Sequence, residues 1–146
     1  MSVGKKIGLI AITAIAIIAF LLAWKWPVIK FGLEDGGKYT ENDRQVYGFF
    51  TPDILKKMPR ITANYEFDYH TVSGPGSVGN SLTFHGTTDT SQIDTYLNSL
   101  GYVKQQSCMV QGVCWKGKDP TEDIVVSAVP EINVVLVQVD YTPGSR

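Results

Sequence analysis

The chain is poor in the groups that most metal and nucleophile chemistry draws on: it has two cysteines and two histidines. Two sulfurs with no neighbouring histidine or third cysteine leave a zinc ion under-coordinated, so Cys108 and Cys114 do not read as a metal site. Five residues lie between them, where a redox dithiol takes the Cys-x-x-Cys spacing. No serine stands in a nucleophile-elbow pattern and no Cys-His pairing is evident. The glycine-rich stretch Ser73–Asn80 lacks the Gly-Lys-Ser/Thr that would hold a nucleotide phosphate, and nothing in the chain calls for a cofactor. There is no Asn-x-Ser/Thr sequon and no cysteine before Cys108, which excludes a lipid-modified cysteine directly after the N-terminal apolar run. Basic charge is also short outside that run. From Phe31 onward nine Lys and Arg face fourteen Asp and Glu, so this part is net negative and repels a phosphate backbone; nucleic acid is not an expected partner.

What the chain does have is one long apolar run. Ile7–Trp24 contains no charge, and Thr13 is its one polar side chain. Eighteen residues at the helical rise span about 27 Å, close to the thickness of a hydrocarbon core. Lys5 and Lys6 flank one end, and Trp24, Lys25 and Trp26 the other, where indoles settle among headgroups and a lysine snorkels. Pro27 is expected to end the helix. A soluble core helix would have to be wrapped on every face, which a protein this small cannot provide. A cleaved signal peptide fits the lysines and the apolar run but lacks a good cleavage site, because Leu21-Leu22-Ala23 is bulky where a small residue is wanted. The reading is a transmembrane anchor over residues 7–26, with membrane lipid as its partner and residues 1–6 as a cytoplasmic tail.

Orientation rests on the cysteines, since lysines and arginines occur on both sides of the span. Cys108 and Cys114 suit a short hairpin whose α-carbons approach to about 5.5 Å. Their disulfide would stabilise the domain by about 2 kcal/mol and imply an oxidising compartment. With the missing sequon, this points to the bacterial inner membrane, with the C-terminal domain in the periplasm.

Residues 27–45 carry Glu34-Asp35-Gly36-Gly37-Lys38 and read as a polar juxtamembrane spacer, leaving residues 46–146 as the folded domain. Thr51 is expected to cap a short helix that starts at Pro52, ends before Pro59 and buries Ile54, Leu55 and Met58. From Ile61 the period becomes two: Tyr65, Phe67 and Tyr69 face one way, Glu66, Asp68 and His70 the other. Ser73–Asn80 reads as a loop, with a second strand at Ser81–His85. Asp89 and Gln92 have the spacing of a capping box, and Ile93, Tyr96, Leu97 and Leu100 form one helical stripe. Gly101 fits a left-handed cap with Tyr102 folded back. Strands are expected at Val103–Cys108, Val113–Lys116, Asp123–Val129 and Asn133–Tyr141, the last apolar on both faces and so central. The expected fold is α+β: an antiparallel sheet of about five or six strands with one main helix packed on one face.

With no catalytic constellation evident, the expected activity is protein–protein binding, not catalysis. The domain would be an accessory subunit of an envelope complex, or an immunity or inhibitor protein against a toxin or hydrolase acting in the periplasm. Candidate contact residues are Ser73, Gly74, Pro75 and Gly76 in the glycine loop, and Met109, Gln111 and Gly112 in the cysteine loop. The alternative is a small metal-binding or hydrolytic domain using Asp68, His70 and His85, if pairing of their strands brings the histidines together. A third reading has the membrane helix itself pack in a larger complex, through its small residues Gly8, Ala11, Ala14, Ala16 and Ala19.

Overall fold

The computed structural model describes residues 2–72, 74, 76–108 and 111–144. Helix α1, Val3–Trp24, buries none of its residues against the other described residues, with Ile10 at 68% and Phe20 at 63% exposed. It is long and apolar enough to cross a membrane. The single residue Lys25 separates it from a second helix, α2, Trp26–Leu33. Pro27 was expected to end helical structure; it lies instead in the first turn of α2, where its missing N–H has no intrahelical acceptor to lose.

The stretch expected as a spacer is built into the domain. Asp35 and Gly36 both take positive φ and turn the chain into strand β1, Gly36–Tyr39. Gly36 is required there, because a Cβ would collide with the backbone carbonyl of Tyr69. Phe31 of α2 packs edge-on against Tyr39 at 5.5 Å and also contacts Phe50 and Tyr69. Gly-Gly-Lys-Tyr has turn composition, but its pairing partner decides its structure, as is common for edge strands.

Two short helices follow, α3 at Arg44–Phe50 and α4 at Asp53–Lys56. Thr51 does not cap α4. Its hydroxyl is buried and bonds the Tyr39 hydroxyl at 2.6 Å, and Pro52 holds the N-cap position. Leu55 and Met58 are buried as their spacing implies. Strand β2, Tyr65–Val72, has the expected alternation, with Phe67 fully buried. Strand β3 runs Ser77–His85, longer than expected. Four residues assigned to the loop, Ser77 to Asn80, are in the strand because each finds a partner on β2.

Helix α5 is Ser91–Ser99. The capping box does not form. Thr90 takes the N-cap position, and Asp89 Oδ1 accepts the Ser91 N–H at 2.9 Å from one residue further out, holding the carboxyl below its usual range. The far end is as read. Gly101 is left-handed, Tyr102 N–H bonds Leu97 O at 3.1 Å and Gly101 N–H bonds Asn98 O at 3.0 Å, which is a Schellman end. Ile93 and Leu97 are buried, while Leu100 remains half exposed.

Strand β4 is only Val103–Lys104, followed by β5 at Val113–Lys116. Strands β6, Glu122–Val129, and β7, Val134–Tyr141, form a hairpin around a 3-10 turn at Pro130–Ile132. The sheet therefore has seven strands, in the order β1-β2-β3-β7-β6-β5-β4, and every pair is antiparallel. The count exceeds the expected five or six because β1 was hidden in turn-like composition. β7 is central, as its two apolar faces imply, with Val134, Val135, Val137 and Val139 all buried. The core lies on one side of the sheet, where Val46, Leu55, Met58, Ile93 and Leu97 cover Phe67, Leu82, Phe84, Trp115, Ile124 and Val137.

Candidate binding face

The cover lies on one side, and the period of two sends every second side chain to the other. Register identifies that second face. Glu66 stands opposite Thr83, Asp68 opposite Ser81, Ser81 opposite Gln138, and Thr83 opposite Leu136. Val125 opposes both Gln138 and Cys114, and Ser127 opposes Leu136. The face is mostly polar: Ser81, Thr83, Ser127 and Gln138 lie along it together with Leu136; Val125 and Val134 are buried at separate places in it; and Glu66, Asp68, Asp123 and Asp140 bring carboxylates.

Its charges fall into three groups. Glu66 Oε1 accepts from Lys38 Nζ at 3.0 Å and lies 3.6 Å from His85 Nε2. The Lys38 hydrogen bond holds the Glu66 carboxyl below its ordinary range. Asp123 pairs with Lys116 and stands directly opposite Asp140. In the third group, His70 Nδ1 is 3.5 Å from Asp68 Oδ1, and its ring lies over Gly79 toward Asp140. A Cβ on Gly79 would strike both the His70 ring and the Asp140 carboxylate, so the glycine lets the two approach. Asp140 also accepts from Gln138 Nε2 at 3.0 Å.

Asp68 and His70 are together as expected, but His85 is not with them. His70 pairs with Gly79, and His85 lies six positions further along β3. At about 3.3 Å per residue the two histidines are roughly 20 Å apart, too far to share a ligand. Among the described residues no group of three or more His, Cys, Asp or Glu is arranged to hold a metal ion. The placement that sequence reasoning missed is Asp140 beside His70. The signal was present as two polar residues, Gln138 and Asp140, at alternate positions of an otherwise apolar strand.

The two candidate loops lie toward opposite ends of the sheet. Gly74 and Gly76 turn the β2–β3 hairpin at positive φ, beside the chain's entry from α2, where Thr71 Oγ1 donates to Asp35 at 3.3 Å. Ser73, Pro75 and Met109 lie outside the described residues. Cys108 and Cys114 are disulfide-bonded, with α-carbons 5.7 Å apart. Their loop borders the open face: Gln111 O accepts from Ser127 Oγ at 2.9 Å, and Gly112 packs against Val125 and Ser127 so closely that a side chain would clash. Comparison with protein-family models, with curated proteins and with solved structures finds no match to this chain.

Proposed function

We propose that the chain is a single-pass inner-membrane protein whose domain stands in the periplasm and binds another protein through the uncovered face of the sheet. One observation carries the reading. Seven paired strands present a second face, across the sheet from the core helices, that carries Ser81, Thr83, Leu136 and Gln138 among the carboxylates of Glu66, Asp68, Asp123 and Asp140, with a disulfide-closed loop along its border. Its half-exposed polar side chains offer hydrogen bonds to a partner, and the carboxylates steer a basic one. The disulfide supports an oxidising compartment for the domain. Met109, Gln111 and Gly112 would then frame the contact. Ser73, Gly74, Pro75 and Gly76 would meet a partner that also reaches the anchor end.

In-cell photocrosslinking tests this. A photoreactive residue at Thr83 or Gln138 should give one discrete adduct, and one at Thr95, on the exposed side of α5, should give none. Asp140→Lys should abolish the adduct while the fold survives. Equal labelling from Thr95, or an adduct indifferent to Asp140→Lys, would overturn the proposal. Identification of the attached protein separates an accessory subunit from an immunity or inhibitor protein.

A further inference from the structure

We propose that the groove between α2 and α3 holds the headgroup of an anionic phospholipid, so that the domain is docked on the bilayer as well as tethered to it. This rests on the reading of α1 as a membrane span. The groove encloses about 620 Å³. Lys25 and Arg44 supply its two cations, and Val28, Ile29 and Phe49 its apolar wall.

Its position follows from the chain. Lys25 is the first residue after α1, so a groove lined by Lys25 opens where the span meets the headgroups. Around it Trp24 is 59% exposed, Trp26 54% and Phe49 72%. Aromatic and aliphatic groups bared at this level are placed for the interface and costly in water. Phe49 rests on Phe50, with ring centroids 4.9 Å apart, and is otherwise free to face lipid.

The chemistry selects the headgroup. Among the described residues neither Lys25 nor Arg44 has a carboxylate within ion-pair distance. No acid lines the groove, although the domain as a whole is acidic. Arg44 offers a fork that matches phosphate oxygens, and Lys25 a point charge beside it. Lys25 follows directly on the exposed apolar surface of α1, along which the lipid's acyl chains would run. A soluble basic protein, the partner suited to the opposite face of the sheet, would be repelled here.

The experiment uses the full chain, reconstituted in vesicles of phosphatidylcholine with and without a minor fraction of phosphatidylglycerol. Flotation with both is expected, and a chain that floats with neither sinks the anchor reading on its own. Native mass spectrometry of protein released from the mixed vesicles then reads the groove. One phosphatidylglycerol should be retained in preference to phosphatidylcholine by roughly thirtyfold, as two cations near an anionic headgroup imply. Lys25→Gln with Arg44→Gln should lose that preference and still float; both residues are exposed, so the fold is expected to tolerate the change. Phe49→Ser should weaken retention while the anionic preference persists. A floating wild-type protein that retains both lipids equally, or a double variant that keeps the wild-type preference, would overturn the groove and leave the anchor standing.

Discussion

Arg60 is the residue whose loss should cost the domain most for its size. Its guanidinium donates from Nη1 to Leu55 O at 2.8 Å and Met58 O at 2.9 Å. Nη2 reaches Lys56 O at 3.2 Å, the Tyr47 hydroxyl at 3.3 Å and Glu41 Oε1 at 2.8 Å. The same group lies 5.2 Å from the Tyr65 ring centroid and 5.3 Å from that of Phe67. One side chain therefore closes the end of α4 and fastens the α3–α4 segment to β2. A partly buried hydrogen bond to a charged donor contributes about 1.5–3 kcal/mol, a face-on cation about 0.5–1 kcal/mol, and an ion pair as exposed as Glu41's little. These share one group and overlap, so Arg60→Ala should cost about 3–4 kcal/mol in all. For a domain near one hundred residues that lowers Tm by roughly 12–20 °C. Arg60→Lys keeps the charge but loses the fork, and should recover less than half. Thermal unfolding of the detergent-solubilised chain, followed by near-ultraviolet circular dichroism, reads both variants. An Arg60→Lys protein melting with the wild type would refute the argument from the fork. An Arg60→Ala protein within a few degrees of wild type would refute the role of the residue altogether.

Gly36→Ala should destabilise by about 2–3 kcal/mol, because it adds a Cβ against the Tyr69 carbonyl at positive φ; urea denaturation would show it as a lower midpoint at unchanged slope. Reduction of the Cys108–Cys114 disulfide should remove about 2 kcal/mol, and thiol alkylation of protein from intact cells should label neither cysteine until a reductant is added. Stability should fall at high pH. The Tyr102 phenol, partly buried and donating to Glu122 Oε1 at 2.5 Å, has its pKa raised, first by burial and then by that bond. Its contribution is complete below about pH 10 and is lost above it, as the unfolded tyrosine ionises and the folded one cannot. Tyr102→Phe should therefore shrink the alkaline loss of stability without abolishing it, since Tyr39, Tyr47 and Tyr96 are raised as well; an unchanged pH profile would count against the bond.

What could be read from sequence was carried by strong local periodicity. The Ile93–Leu97 stripe with Gly101 behind it located α5 and its end, and the doubly apolar β7 located the centre of the sheet. β2 announced itself through Tyr65, Phe67 and Tyr69. Elements specified by a distant partner were not legible. β1 is four residues of turn-like composition that become a strand because β2 offers an unpaired edge. α3 is too short to show a stripe, and its one buried residue is Val46. Arg60 reads as one more surface charge until the carbonyls ending α4 and the rings of β2 converge on it. The candidate face had the same problem. Alternation in β2 and β7 showed which residues share a side, yet the meeting of His70 with Asp140 across Gly79 depends on the register of three strands.

The path from α1 to the sheet bears on how any partner can be met. Between Trp24 and Gly36 only Lys25, Glu34 and Asp35 fall outside helix or strand. Eight residues of α2 advance the chain about 12 Å and the three others about 10 Å, so β1 begins within about 22 Å of the end of α1. β1 then pairs with β2 through four positions, and Phe31 locks α2 to Tyr39 and Tyr69. A domain entered this way does not sample the volume that a long flexible tether would allow. With α1 in a bilayer, as proposed, the domain's open face would be held near the membrane at a restricted angle. A partner anchored in or resting on the same bilayer would therefore meet it at a higher effective concentration than one diffusing free. A lipid held by Lys25 and Arg44 would narrow that angle further. The docking groove and the binding face would then act together, the first fixing how the second is presented.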